Sequence, residues 1–316
     1  MKSGNIRHKK DARIISSSST YDRGPIEFKS RISEKEGDIM NIAIRDVATI
    51  PPSTSIMGAA KTMITHGTRL LPITDAGTNR LVGMVSCLDI VDFLGGGMRH
   101  NLVANRYNGN LFAAINEKVR EIMNNDVKSV TIHTSLKDAL NIMYTTGVGG
   151  LPILDEEERV KAMLSERSFV KLVEGENTGK SVREWMSTNV KAVSPDISVK
   201  EVTKAMIRFG YRRLPIVKED ILLGIVTSYD IIRYLGSGEV FNKVDYGKII
   251  ESLNIPIKNL ISRNVVWSRS NIDLGEAARL MIKENIGSLP LIDEGVLSGI
   301  LTERDFVRAM MSTTTV

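Results

Sequence analysis

The stretch RRLPIVKEDILLGIVTSYD, residues 212–230, decides how the rest of the chain is read. It holds two short aliphatic runs, LPIV (214–217) and GIVT (224–227), separated by polar residues of the kind that turn a chain. It closes on Ser-Tyr-Asp, where a Thr followed three residues later by an acid marks the start of a helix. The same text recurs: Leu-Pro stands inside apolar stretches at 71–72, 151–152, 214–215 and 289–290. Downstream of each lies GMVSCLD (83–89), AMLSERS (162–168), GIVTSYD (224–230) or GILTERD (299–305). From the proline to the end of that signature the chain advances 17, 16, 15 and 15 residues. Four coincidences of that kind are a repeat.

The upstream half repeats as well. SIMGAAKTM (55–63), SLKDALNIM (135–143), SVKEVTKAM (198–206) and DLGEAARLM (273–281) align without gaps. Their apolar residues fall at helical spacing on one face, as in Leu136, Ala139, Leu140 and Met143. Ser55, Ser135, Ser198 and Asp273 are suited to cap these helices, and Asp138, Glu201 and Glu276 stand where a capping box needs an acid. Each unit reads as strand–helix–strand–strand–helix over about sixty residues, too small to bury a stable core alone, so pairing is expected.

The expected organisation is a basic, unstructured tail at 1–38 and four repeats at 39–96, 116–174, 180–237 and 254–314. Long Gly-led connections join repeats one and two and repeats three and four, whereas only GENTGK (175–180) joins two and three. Long, short, long implies a duplicated two-repeat module, an α/β (α+β) fold of two paired units. Of the formal charge of +5, the first forty residues hold nine Lys/Arg against six Asp/Glu, so the remainder is close to balanced and argues against a folded nucleic-acid platform. No apolar run is long enough for a membrane span, and the basic amino terminus lacks the apolar segment of a secretory signal. With a single cysteine, Cys87, no internal disulfide forms, and a cytoplasmic location is expected. The four histidines show no metal-ligand spacing, and no phosphate-loop, dinucleotide or nucleophile-elbow motif is present, so neither a metal nor catalysis is expected. His66 and His133 read as surface or capping residues, and Trp185 and Trp267 as packing residues.

These features resemble the CBS-domain family, whose repeats pack two by two as Bateman modules. The resemblance spans about residues 40–314 and rests on the capped helix ending in Met, the Leu-Pro strand and the Gly-aliphatic-aliphatic-Ser/Thr-x-x-Asp signature. Four repeats in one chain are similar to the γ subunits of AMP-activated protein kinase and their archaeal relatives, and that similarity implies a flat disc that senses adenine nucleotides between paired repeats. It implies that the closing Asp binds a ribose diol and the Ser/Thr three residues earlier binds ribose or phosphate: Asp89 with Ser86, Asp230 with Thr227, and Asp305 with Thr302. The chemistry is coherent, because a carboxylate accepts short charge-assisted bonds from a cis-diol and a helix start favours an anion. The alternative is that Ser/Thr-x-x-Asp is only a capping box.

Repeat two departs from the pattern, with Ser168 in place of Asp after Ser165, and its site is expected to be empty or weak. Basic residues before the Leu-Pro strand, implied by the resemblance to reach phosphates, are Arg69 in repeat one and Arg212 and Arg213 in repeat three, after Tyr211. Repeats two and four carry Gly149-Gly150 and Gly287-Ser288 there. On the family mapping, the best-equipped cleft joins Asp305 and Thr302 to Tyr211, Arg212 and Arg213. The other two suit adenosine ligands of little negative charge, such as S-adenosylmethionine, or borrow charges from the opposite module. The expected function is a non-enzymatic regulatory sensor of AMP, ADP, ATP or S-adenosylmethionine that passes its state to a protein target, with a homodimer compatible. Two alternatives are an interaction scaffold with unfilled clefts and the regulatory fragment of an enzyme lacking its catalytic domain.

Overall fold

The computed structural model describes residues 39–237, 253–261 and 265–314. The expected tail at 1–38 and much of the connection between repeats three and four lie outside the described residues. In repeat one, helix α1 (Ile56–Thr65) leads to strands β1 (Leu70–Thr74) and β2 (Leu81–Ser86) and to helix α2 (Cys87–Val91). Repeat two supplies β3 (Val130–Thr131), α3 (Leu136–Thr146), β4 (Gly150–Leu154), β5 (Val160–Ser165) and α4 (Glu166–Leu172). Repeat three supplies α5 (Val199–Phe209), β6 (Arg213–Lys218), β7 (Ile221–Thr227) and α6 (Ser228–Gly236). Repeat four supplies α7 (Leu274–Lys283), β8 (Ser288–Asp293), β9 (Val296–Thr302) and α8 (Glu303–Thr314).

The four Leu-Pro hairpins share one register. Leu71 faces Val85, Leu151 faces Leu164, Leu214 faces Val226 and Leu289 faces Leu301, and each hairpin bulges two residues after the proline opposite its own turn. The expected first strand is two residues long in repeat two, and in the other repeats it shrinks to a single parallel bridge: Ile50 to Ile73, Val193 to Ile216 and Ser268 to Leu291. In repeats one and three a proline follows at once or after one residue (Pro51, Pro195), and a proline has no N–H with which to lengthen a ladder.

Sheets join repeats within a module, and helices join the modules. The segment entering repeat two pairs with repeat one, Asn124 exchanging bonds of 2.8 and 2.9 Å with Met84. Ile44, entering repeat one, exchanges two 2.8 Å bonds with Met163 of repeat two, and Ser187 does the same with Ile300 in the second module at 3.0 Å. The signature glycine is there because of this pairing: a Cβ on Gly83 would stand 2.7 Å from Met123 Sδ, and one on Gly299 2.7 Å from Met186 Sδ. One hydrophobic core then combines the helices of repeats one and three, and a second combines those of two and four. The methionines that end the four long helices, Met63, Met143, Met206 and Met281, are fully buried in these cores, each contributing roughly 1.5–3 kcal/mol.

The Gly-led connections are seam contacts. Gly96 and Gly97 lie against Ile207 of α5, and Gly236 lies against Ile64 of α1. The short 175–180 connection is tied to repeat four, where Asp273 accepts from Thr178 N and Oγ1 at 3.0–3.2 Å and from Gly275 N at 2.7 Å. That role corrects one expectation. Glu201 completes a reciprocal box with Ser198, but Asp273 turns to Thr178, Glu276 lies 3.8 Å from Arg279, and Asp138 bonds only to Ser135. Trp185 packs on the second core as expected, whereas Trp267 is half exposed at 50%.

Candidate functional site

Each signature ends a strand and starts a helix, and that geometry fixes the side chains that recur among the repeats. Asp89 Oδ2 accepts from Ser86 N at 2.7 Å and Ser86 Oγ at 2.6 Å. Asp230 Oδ2 accepts from Thr227 N at 2.9 Å and Oγ1 at 2.6 Å, and Asp305 Oδ2 from Thr302 N at 2.7 Å and Oγ1 at 2.8 Å. In all three the second oxygen meets an arginine: Arg99 at 2.8 Å, Arg233 at 3.1 Å and Arg308 at 2.8 Å. The capping box is reciprocal at Asp89 and Asp230, whereas at Asp305 only the carboxylate half of it is formed. Repeats three and four carry their arginine one turn along the same helix. Repeat one has Asp92 there, and Arg99 comes instead from the connection, bonding Asp92 at 3.2 Å and the Ile122 carbonyl at 2.7 Å.

Asp305 is 3% exposed, and burial raises its carboxyl above the usual range against the bonds from Thr302 and Arg308. In repeat two, Ser168 is buried and only long contacts of 3.4 and 3.5 Å link it to Ser165, so this box lacks charge. The Cys87 thiol is buried and pushed up to about 12 by desolvation, which leaves it unreactive.

A cavity of about 490 Å³ opens among all four repeats. Ser86, Asp89 and Arg99 line one part of it, Gly149, Gly150 and Ser165 another, and Arg69, Arg212 and Arg213 converge from repeats one and three. The expected grouping of Arg212 and Arg213 with Asp305 and Thr302 is rearranged. Tyr211, Thr227, Asp230, Thr302 and Asp305 lie outside this lining. The physical reason is that each arginine finds an acceptor in another repeat: Arg212 Nη1 donates across the module seam to Glu166 Oε2 at 2.9 Å, and Arg213 donates to the Gly287 carbonyl of its own module. Desolvation brings the Arg213 guanidinium down to about 10, leaving it charged at neutral pH. Tyr211 instead stacks on Phe209, with ring centroids 5.9 Å apart.

The glycines before the Leu-Pro strands acquire a role that sequence reading missed. A Cβ on Gly149 would stand 2.6 Å from the Arg212 guanidinium, and one on Gly287 3.2 Å from Glu303 Oε2 and 3.3 Å from Arg213. They are the sockets for repeat-three arginines. Also missed were Glu166, Arg167, Glu303 and Arg304. Their signal was the SER of 165–167 and the TER of 302–304 against SCL and TSY in the other two repeats. His66 caps the end of α1 and lines the cavity, and His133 is exposed beside Glu156. Among the described residues no cluster of metal-ligating side chains occurs, and no helix is long and apolar enough to cross a membrane.

The CBS domain family matches the chain at residues 37–96, 119–175, 182–237 and 257–312. The uncharacterized protein MJ1225 of Methanocaldococcus jannaschii is 35% identical over 273 residues, covering 85% of this chain and 98% of its own. Its crystal structure, described as that of a candidate archaeal homologue of γ-AMPK, superposes with a TM-score of 0.80. An uncharacterized 33.4 kDa protein of Thermofilum pendens is 32% identical, covering 82% of this chain and 86% of its own. An uncharacterized conserved protein of Pyrococcus horikoshii, 19% identical over 85% of this chain and 97% of its own with a TM-score of 0.53, shares the fold. Four hairpins in one register and four family matches along one chain make this protein a four-repeat member of the CBS-domain family.

Proposed function

We propose that the chain is a regulatory sensor of the cytoplasm that binds an adenosine ligand and presents its state to a partner protein, without catalysing a reaction. One observation carries the reading: Asp89 and Ser86, suited to a ribose, line the same cavity as Arg69, Arg212 and Arg213, suited to phosphate. Its volume of about 490 Å³ lies in the range of small-ligand pockets, roughly 300–1,000 Å³. The likeness to MJ1225 supports the same reading. Because all four repeats contribute to the cavity wall, a ligand there biases the seam between modules, and a partner reads that bias. AMP, ADP and ATP suit the arginines better than S-adenosylmethionine does.

The second module favours a different emphasis. Asp230 completes a capping box and Asp305 accepts from Thr302, both hold arginines of their own helices and both lie outside the large cavity, which supports a structural role there. Small molecules released from purified, denatured protein, analysed by mass spectrometry, test the class directly. Titration calorimetry with AMP, ADP, ATP and S-adenosylmethionine then identifies the ligand and the number of sites. At about 100 times the dissociation constant a bound ligand stabilises the fold by about 2.7 kcal/mol. An extract free of adenosine compounds together with no heat from any of the four sinks the sensor reading and leaves the scaffold.

A further inference from the structure

We propose that Glu166 and Glu303 are specificity-determining residues, resident counter-anions that hold the arginines of the central cavity and make an incoming anion compete for them. The inference rests on the ligand reading above for the identity of the cavity, but its own test does not need an adenosine compound.

The two glutamates occupy one position of the repeat, the residue after the signature Ser/Thr, and only in repeats two and four; repeats one and three carry Cys87 and Ser228 there. Each lies across the seam from arginines of the other module. Glu166 accepts from Arg212 at 2.9 Å and from Arg304 at 3.4 Å. Glu303 accepts from Arg167 at 3.0 Å, with Arg69 at 3.9 Å. The arrangement has an approximate two-fold symmetry: Arg69 and Arg212 stand three residues before their prolines, and Arg167 and Arg304 follow their own glutamates. The glutamate side chains are only 4% and 7% exposed, yet both line the cavity.

Arg167 and Arg304 are anchored independently. Arg167 also donates to the Met281 and Ile286 carbonyls at 3.3 and 3.1 Å, and Arg304 to those of Tyr144 and Val148 at 3.2 and 3.4 Å. They hold the seam whether or not the glutamates are charged. Arg212 and Arg69 have no such second anchor in the contacts described, and their side chains are 42% and 44% exposed. A phosphate and a carboxylate use the same guanidinium fork. An anion entering the cavity therefore meets arginines already neutralised by Glu166 and Glu303, and only a group that displaces those carboxylates is bound strongly.

Inorganic tripolyphosphate and adenosine, titrated separately, test this on the full chain. Glu166→Gln and Glu303→Gln keep the side-chain shape and remove the competing charge. Each is expected to tighten tripolyphosphate about tenfold or more while leaving adenosine unchanged, and the gain from E166Q is expected to vanish in an Arg212→Gln background. Unchanged tripolyphosphate affinity, or an equal gain for adenosine, overturns the proposal. If E166Q fails to fold, E303Q repeats the test on the other pair of arginines. A purely structural role lowers the melting temperature and leaves anion affinity flat. Absence of any adenosine binding by the unmodified protein strikes the ligand reading alone.

Discussion

Gly149 and Arg212 share one space across the module seam: where a Cβ would project from Gly149, the Arg212 guanidinium lies 2.6 Å away. Gly149→Ala is therefore expected to push the guanidinium off Glu166 at a cost of about 1–2 kcal/mol, the lower part of the overpacking range, since the obstructing group ends a flexible side chain. Urea denaturation of G149A, R212A and the double variant checks it. The cost of G149A is expected to fall toward zero once Arg212 is Ala, a coupling that independent sites do not show.

Gly275 and Gly236 offer a graded contrast. A Cβ on Gly275 would lie 1.9 Å from the Glu176 carbonyl oxygen, a backbone atom of the connection that Thr178 and Asp273 fix in place. A Cβ on Gly236 would lie 2.4 Å from Ile64 Cδ1, the end of a side chain. Gly275→Ala is expected to cost about 3 kcal/mol or more and Gly236→Ala about 1–2 kcal/mol. Denaturation midpoints compare them, and Ile64→Ala is expected to soften only the second.

Asp305 gives a pH signature of unusual sign for a carboxylate. Burial raises its folded value, so the folded state binds its proton more readily than the unfolded chain. The stability linked to that proton is full below the unfolded value, near 3.8, and is lost as pH rises through the folded one. Asp305→Asn stays neutral throughout. Its stability relative to the parent protein is expected to improve on going from acid to pH 7, read from melts of both proteins across that range. Asp305→Ala, which also removes the bonds to Thr302 and Arg308, is expected to cost about 1–2 kcal/mol.

Glu117 and Asp293 act in the opposite sense. The hydroxyl of Tyr107, 2.5 Å away, holds the Glu117 carboxyl below its usual range, and bonds from Ser270 and Ser298 do the same for Asp293. Their stabilisation is present above the unfolded carboxylate values and is lost as pH falls through the lower folded ones. Tyr107→Phe is expected to reduce the acid sensitivity of the melting temperature below about pH 4, and an unchanged slope refutes the assignment.

What each repeat does within itself was legible in the sequence. The Leu-Pro stretches and the second aliphatic runs are strands, as expected, and the helices carry their expected methionines buried, because strand patterning and helical period are local properties. What one repeat does for another was not. Gly149 and Gly287 looked like missing charges and are sockets for Arg212 and Arg213. The Gly-led connections looked like spacers and are helix contacts at Ile207 and Ile64. Asp273 looked like an ordinary cap and holds Thr178. The direction of a long arginine is decided by acceptors such as Glu166, which lie 46 residues away along the chain.

Because Ile44 completes a sheet edge of repeat two and Asn124 one of repeat one, neither repeat closes its own sheet. A break between them leaves two raw strand edges, whereas a break between modules leaves every described strand with its mate. The two-repeat module is therefore the smallest piece of this chain that keeps all its described strand pairings, and a lone repeat would present an edge open to aggregation.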